Sequence, residues 1–260
     1  MRFAIIYSEK DSAGRNIIKN LRKLSFLPQT RIIKIKKEII YFDINKHNLK
    51  NIDFIIFASK HESLKKQNSL TIHAPGNFRN SLGGINGKLS NTSCFVLKYL
   101  FKELNKNPVP GYNITLECTH HGPSINIPCC FIEIGSTEEQ WNDENAGRAI
   151  AKTIISLQNY KQKNNKNYIP SIGIGGPHYC PNFNKIQLNS NYAIGHIFPS
   201  YNFPLTQPIL KEIEEKTKES VKLAILDWKS FKSEERKEII SLLNKFNLNY
   251  KRTSDIDKNV

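Results

Sequence analysis

The run at residues 53–58, Asp-Phe-Ile-Ile-Phe-Ala, constrains the fold more than any other segment. A strand this apolar is buried on both faces, as strands of parallel sheets are. A similar run at residues 3–7 is followed by Ile17, Ile18 and Leu21 at helical spacing. Because such strands and helices alternate along the chain, the sequence predicts an α/β fold with a mixed, mostly parallel sheet flanked by helices.

Three local predictions accompany this fold. Ser12 is the predicted cap of the first helix, residues 38–42 form a short strand, and one long helix runs from about residue 136 to 158. The polar segment 159–167 reads as a surface loop rather than a domain border. We therefore expect residues 1–260 to form a single domain.

The charge of the chain indicates a class of partner. Lys and Arg total 38 against 23 Asp and Glu, a formal net charge of +15. Such a field attracts polyanions, so nucleic acid is the expected partner, although a Lys-rich composition alone gives the same excess. The five cysteines form no CxxC pair, and no apolar run reaches membrane-spanning length. We expect a cytoplasmic protein with reduced thiols and no membrane contact.

The histidines are unevenly placed. Six of the seven follow or end a strand-like run. Because the carboxyl ends of parallel strands face one crevice, several of these side chains are expected to converge. The alternative is that each imidazole is a satisfied residue of its own loop. The six are His61, His73, His120, His121, His178 and His196.

Three uses of such histidines stay open at this point. Imidazoles with Glu117 or Glu133 could hold zinc and leave a position open for water. They could instead act as acids and bases without metal, or recognise phosphate. The chain contains no His-Glu-x-x-His run, so spacing alone does not choose. Asn77 follows His73 in a turn and could orient a substrate carbonyl through its amide.

Five motifs occur in order along the chain. They read HAPGN at 73–77, ECTHHGP at 117–123, FIEIGSTEEQW at 131–141, GGPHYCP at 175–181 and GHI at 195–197. Together they resemble the archaeal and plant type of D-aminoacyl-tRNA deacylase, and the resemblance extends over essentially the whole chain. The sequence departs from the family at Cys118 and Cys180, where the family usually has Ala, and at the turn 73–77, where the proline is displaced.

The resemblance implies hydrolysis of the ester between a D-amino acid and the 3′ end of tRNA, zinc dependence, and a fold similar to peptidyl-tRNA hydrolase, of the phosphorylase-like type. The partner would be tRNA, bound through its aminoacylated 3′ end and acceptor stem, and we expect a monomer. The predicted catalytic residues are His73, Asn77, Glu117, His120 and His121. The predicted metal ligands are His61, Glu133, His120, His121, His178 and His196.

Two alternatives remain. A peptidyl-tRNA hydrolase would share the fold and much of the substrate, and a non-catalytic RNA-binding module would share the basic surface.

One geometric expectation bears on the site itself. Adjacent side chains of an extended backbone point in opposite directions, so His120 and His121 should not act together unless the backbone turns there.

Overall fold

The structure, a computed structural model, describes residues 1–24, 30–64, 66–79 and 82–256. Ten strands in this part of the chain form two sheets. Six of them come before the polar segment 159–167 and four come after it. The strands are β1 Phe3–Ser8, β2 Thr30–Ile35, β3 Phe54–Glu62, β4 Ser69–His73, β5 Asn113–Leu116, β6 Cys129–Ser136, β7 Ile169–Ile174, β8 Tyr192–Phe198, β9 Leu223–Leu226 and β10 Tyr250–Arg252.

The helices alternate with these strands as the sequence predicted. In chain order they are α1 Ser12–Leu24, α2 Cys94–Asn105, α3 Glu138–Trp141, α4 Glu144–Ser156, α5 Pro181–Asn189, α6 Gln207–Glu215, α7 Ser233–Lys245 and α8 Thr253–Ile256.

The first sheet has the strand order β2-β1-β3-β6-β4-β5. All its neighbours are parallel except β4 and β6, which run antiparallel. The second sheet has the order β10-β9-β7-β8 and is parallel throughout. The predicted fold class is therefore confirmed, while the expected single sheet is divided into two.

Helix α2 links the two sheets. It packs against β4 and β5 of the first sheet and against β7 and β8 of the second. Its N-terminus is capped by Ser93, whose hydroxyl accepts a hydrogen bond from the Val96 amide. One buried hydrophobic cluster contains Ile5 and Ile56 from the first sheet together with Ile194 and Ile225 from the second.

Three local predictions were wrong. Helix α1 is capped by Asp11 rather than Ser12, since Asp11 Oδ1 accepts from the Gly14 amide at 2.8 Å. Residues Ile39–Tyr41 form a 3-10 turn, not a strand. The long predicted helix is two helices, because Asp143 caps α4 by accepting from the Asn145 amide at 2.8 Å. None of the helices in the described ranges is long and apolar enough to cross a membrane.

Candidate active site

The site lies where chain segments from both sheets meet. His61 is near the end of β3, His73 ends β4, and Glu133 lies within β6. The loop after β5 carries Glu117 to His121, and the loop after β7 carries His178. Backbone hydrogen bonds join these loops, since the Cys118 amide donates to the His178 carbonyl at 2.9 Å. The strand ends thus bring together the side chains that the sequence predicted would converge.

Glu117 occupies the centre of the cluster and is fully buried. Its Oε1 lies 3.1 Å from His61 Nδ1. Its Oε2 lies 3.4 Å from His120 Nε2 and 3.3 Å from His178 Nε2. His73 Nε2 is slightly farther, at 4.0 Å from the same oxygen. Four imidazoles therefore surround one carboxylate.

Glu133 adds a second buried carboxyl group beside the first. Its Oε2 lies 3.6 Å from His73 Nε2 and 3.8 Å from His61 Nδ1. Single ligand atoms of His73, Glu117 and Glu133 all lie within 4.8 Å of one another. The same holds for His61, Glu117 and His178. The cluster thus combines carboxylate and imidazole donors, the set that zinc accepts.

His120 and His121 both face the cluster. Their ring centroids lie 4.3 Å and 4.9 Å from the ring of His73. The backbone turns at His121, where φ is +41°. This turn removes the alternation expected of an extended chain, so the two neighbours act on the same side. Ligand atoms of His73, His120 and His121 form a further group that could hold a metal ion.

Hydrogen bonds fix the orientation of the imidazoles. The Nδ1 atoms of His120 and His121 lie 2.8 Å from the carbonyl oxygens of Cys118 and Gly122. Since a carbonyl only accepts, Nδ1 carries the proton and Nε2 keeps its lone pair. Backbone carbonyls orient metal-binding histidines in this way. His61 is held from its other side, with Nε2 2.9 Å from the Tyr179 hydroxyl.

Three buried polar atoms of the cluster have no hydrogen-bond partner: both carboxylate oxygens of Glu117 and Nε2 of His73. The nearest histidine nitrogens to Glu117 are His61 Nδ1 at 3.1 Å and His178 Nε2 at 3.3 Å. Buried polar atoms are almost always paired, and leaving them unpaired is costly. Lone pairs that converge without donors fit a cation.

Burial and neighbouring charges set the protonation states. Burial lowers the pKa of His73 to about 3 and that of His120 well below its usual range, so both are neutral. Burial and Glu117 raise the pKa of Glu133 well above its usual range. Burial opposes ionisation of Glu117, but His178 and His61 outweigh it and hold its pKa well below the usual range. The neutral imidazoles of His73 and His120 and the ionised carboxylate of Glu117 are the forms that bind metal. At His178, burial is outweighed by Cys118 and Glu117, which raise its pKa to about 10.

A cavity of about 450 Å³ opens onto the cluster. Its polar floor includes His61, His120, His178 and Glu133. This volume is in the range of ligand sites and accommodates an aminoacyl ester. The remaining lining residues come from the carboxyl ends of β1 and β3, the segment after β2, the loop around residue 82, and β6. Among them are Lys10, Asp11, Ile39, Ile40, Lys60, Leu82 and, from β6, Phe131.

Two predicted site residues lie apart from this arrangement. His196 is buried on β8, with Nδ1 3.1 Å from Thr119 Oγ1 and Nε2 3.1 Å from the Ser90 carbonyl. Both ring nitrogens are used, so the expectation that it ligates metal is corrected. The Asn77 amide donates to the Gly83 carbonyl. This bond lies in the loop beside the cavity, and Asn77 is not among the lining residues. That Asn77 orients the substrate stays a prediction.

Sequence reasoning missed several residues of the site. Asp11 lies in the cavity wall, where its Oδ2 accepts from Ser59 Oγ and the Lys60 amide, each at 2.9 Å. The position of Asp11 directly after β1 was the available signal, since strand ends supply site residues. The Tyr201 hydroxyl forms a hydrogen bond of 3.0 Å with Cys118 Sγ, in which either atom can be the donor. No feature of the sequence near Tyr201 pointed to this contact.

Fold and site together define an α/β protein with a buried histidine–carboxylate centre suited to metal-dependent hydrolysis. The sequence model of the D-aminoacyl-tRNA deacylase family matches residues 48–251. The chain belongs to the D-aminoacyl-tRNA deacylase family, as its motifs predicted.

Relatives and a solved structure support this membership. The D-aminoacyl-tRNA deacylase of Thermococcus kodakarensis is 38% identical over 79% of this chain and 77% of its own length. That of Methanocaldococcus jannaschii is 29% identical over 97% of this chain and 100% of its own. A crystal structure of a conserved protein of unknown function has a TM-score of 0.89 at 28% identity, covering 99% of this chain and 97% of that chain.

Proposed function

We propose that this protein hydrolyses the ester bond of D-aminoacyl-tRNA, releasing the free D-amino acid and tRNA. Membership of the family gives the reaction class. The observation that carries the proposal is the Glu117-centred cluster, which lies at the bottom of a cavity and contains unpaired lone pairs. Ester hydrolysis needs an activated water and a means of stabilising charge on the carbonyl oxygen, and such a cluster can provide both.

We propose zinc as the metal. Glu117 would hold it with two of the surrounding imidazoles, those of His61, His73, His120 and His178, which leaves a coordination position for water. His121 and Glu133 belong to the overlapping groups around them. When bound, zinc acts as a Lewis acid on a carbonyl and lowers the pKa of water. His196 is excluded because both of its nitrogens are bonded within the protein.

The residues of the chain position the substrate around this centre. Ile39, Leu82 and Phe131 provide an apolar wall that keeps bulk water from the ester. Asp11 is held by Ser59 and the Lys60 amide, so its carboxyl group can receive the ammonium group of the aminoacyl moiety. Tyr179 fixes the ring of His61 through its hydroxyl. Selection of the D form would follow from clash of the L side chain or an unpaired ammonium group.

We propose a monomer as the active form. Residues of both sheets share one core cluster, which supports a single domain. We propose that the protein acts in the cytoplasm, where aminoacylated tRNA is found. Light scattering on the purified protein tests the monomer directly.

Purified protein with D-Tyr-tRNA and L-Tyr-tRNA tests the function. We expect selective release of D-tyrosine, loss of activity with a chelator, and recovery when zinc is added. Preferential cleavage of N-acetylated L-aminoacyl-tRNA would favour a peptidyl-tRNA hydrolase. RNA binding without any ester cleavage, unchanged by His120→Ala, would favour a binding module instead.

A further inference from the structure

A second groove, of about 490 Å³, lies on the surface between α1 and β2. Its cations come from two elements: Arg15, Lys19 and Arg22 from α1, and Lys34 from β2. The only carboxylate that lines it is Glu9. Such a groove is an anion-binding surface, and the residues of the proposed reaction centre do not include any of these cations.

The three cations of α1 form one stripe. They are four and three residues apart, a spacing that places side chains on the same helical face. All three are exposed, while Ile17 and Leu21 on the opposite face are buried, as is Ile18, which lies beside the stripe and lines the groove. At a rise of about 1.5 Å per residue the stripe is roughly 10 Å long. That length suits a row of phosphates better than a single small anion.

The acidic residue of the groove neutralises little of this charge. Glu9 Oε2 lies 3.5 Å from Lys34 Nζ, and both side chains are largely exposed. Exposed pairs of this kind are weak. The guanidinium of Arg15 donates to the Glu9 backbone carbonyl, which leaves its charge uncompensated. The groove therefore keeps a net positive charge.

The groove continues into the catalytic cavity along two chain segments. Glu9 lines the groove, and the next residues, Lys10 and Asp11, line the cavity. Lys34 lines the groove, and Glu38 and the turn after it line the cavity. Between these two positions lie the exposed residues Lys36 and Lys37. The two segments that line the groove thus lead directly into segments that line the cavity, and one of them carries the exposed cations Lys36 and Lys37 on the way.

We propose that this groove binds the phosphate backbone of the tRNA acceptor stem while the aminoacylated 3′ end enters the cavity. The proposal rests on the proposed function. A duplex backbone fits better than a single-stranded loop, because the described residues of the lining offer several charges, and the one aromatic ring among them, that of Tyr7, is buried and cannot stack on a base. Phosphate contacts of this kind position a nucleic acid without reading its sequence.

The test compares the parent with the variant Arg15→Glu/Lys19→Glu/Arg22→Glu. Its matched control is Lys152→Glu/Lys237→Glu/Lys245→Glu, which changes the net charge equally at exposed helical lysines outside both the groove and the cavity. Two substrates are used: D-Tyr-tRNA, and the D-tyrosyl ester of adenosine, which has no stem. Circular dichroism verifies that each variant is folded.

For the groove variant we expect KM for D-Tyr-tRNA to rise at least tenfold at about 50 mM salt, with the rate on the adenosine ester within twofold of the parent. The slope of log KM against log salt should become shallower by roughly 2 to 3, since each phosphate contact contributes about 0.7 to 0.9. The control should retain the KM and slope of the parent.

Two outcomes overturn the groove proposal while leaving the function intact. One is an active groove variant with the parent's KM and salt slope on D-Tyr-tRNA. The other is an equal loss in the control, which would mean that only total charge matters. If the parent cleaves neither substrate, the proposed function itself fails, so the two failures are distinguishable.

Discussion

The carboxylate of Glu117 is the residue on which the proposed chemistry depends most. The substitution Glu117→Gln keeps the shape of the side chain and removes the negative charge that attracts both the cation and the imidazoles. An amide oxygen is a weaker ligand, so we expect zinc content to fall and kcat/KM to drop by at least about 10². Elemental analysis and D-Tyr-tRNA hydrolysis measure the two effects.

A matched variant for Glu117→Gln is Glu212→Gln, which also alters a buried glutamate. Glu212 accepts from the Leu89 amide and pairs with Lys88, outside the cavity lining. We expect it to keep its zinc and its activity. Full zinc content and activity in Glu117→Gln would show that the carboxylate is not a ligand.

His178 and His196 should respond to truncation in opposite ways. His178 is partly exposed at the cavity, so His178→Ala should lose activity at little cost in stability. His196→Ala leaves the Ser90 carbonyl and Thr119 hydroxyl without their partner in a buried place, which should lower the free energy of unfolding by about 1–3 kcal/mol. Urea titration and zinc analysis separate these effects, and loss of zinc in a folded His196→Ala protein would contradict this assignment.

Sequence reasoning succeeded for the histidines whose strands end at the shared crevice. It failed for His196 because this residue lies inside β8 rather than at its end, where its ring nitrogens meet the Thr119 hydroxyl and the Ser90 carbonyl. It also could not foresee the joint action of His120 and His121, since a positive φ at a non-glycine residue has no clear signature. The family motifs identified the residues of the site but not the directions in which their side chains point.

Among the elements, α2 carries an unusual buried cation. Lys98 Nζ donates to the carbonyls of Gln187 and Tyr192 at 2.6 and 2.9 Å and lies 5.0 Å from the ring of Tyr168. Burial, with Lys102 acting in the same direction, lowers its pKa from 10.5 to about 7. The side chain therefore joins the inter-sheet helix to the end of α5 and the start of β8.

This pKa shift predicts a pH-dependent stability. Between about pH 7 and 10.5 the unfolded chain holds a proton that native Lys98 lacks, so stability rises with pH there; below pH 7 the native state bears the full cost of the buried charge. Relative to Lys98→Met, the parent should gain roughly 2 to 3 kcal/mol between pH 7 and about 9.5. Urea unfolding at both pH values measures the difference, with Lys152→Met as an exposed control that keeps the parent's slope.

Element boundaries were harder to predict than element types. The break between α3 and α4 depends on the Asp143 side chain, which caps the second helix. The hydrophobic pattern of this segment is helical throughout, so the sequence does not indicate the break. Ile39–Tyr41 has strand-like residues, but it covers a face of the first sheet as a turn. The division into two sheets depends on α2 packing between them. The hydrophobic periodicity of the sequence does not indicate which strands share a sheet.

At the scale of the whole molecule, the shared core predicts cooperative unfolding. The chain has two tryptophans, Trp141 beside the first sheet and Trp228 after β9 of the second. In Trp228→Phe the fluorescence reports the first half, and in Trp141→Phe it reports the second. Each should give the same urea midpoint as far-ultraviolet circular dichroism of the same variant.

Separate midpoints in either variant would show that the sheets unfold independently and would contradict the single domain.

The sequence anticipated one domain by treating residues 159–167 as a loop. It anticipated a polyanionic partner from the net charge, but not the location of the basic surface, because α1 cations and Lys34 become neighbours only when β2 pairs with β1.

The loop that carries the paired histidines lies against the loop at the rim of the cavity, backbone to backbone. The Gly122 amide donates to the Leu82 carbonyl at 2.8 Å. A methyl group on Gly122 would approach the Gly83 and Gly84 backbone to 2.4 Å, so there is no space for relative sliding. We therefore expect a displacement of the histidine loop to be passed directly to the rim. The rate at which the Gly122 amide proton exchanges with solvent should therefore differ between the protein with metal bound and the protein without it.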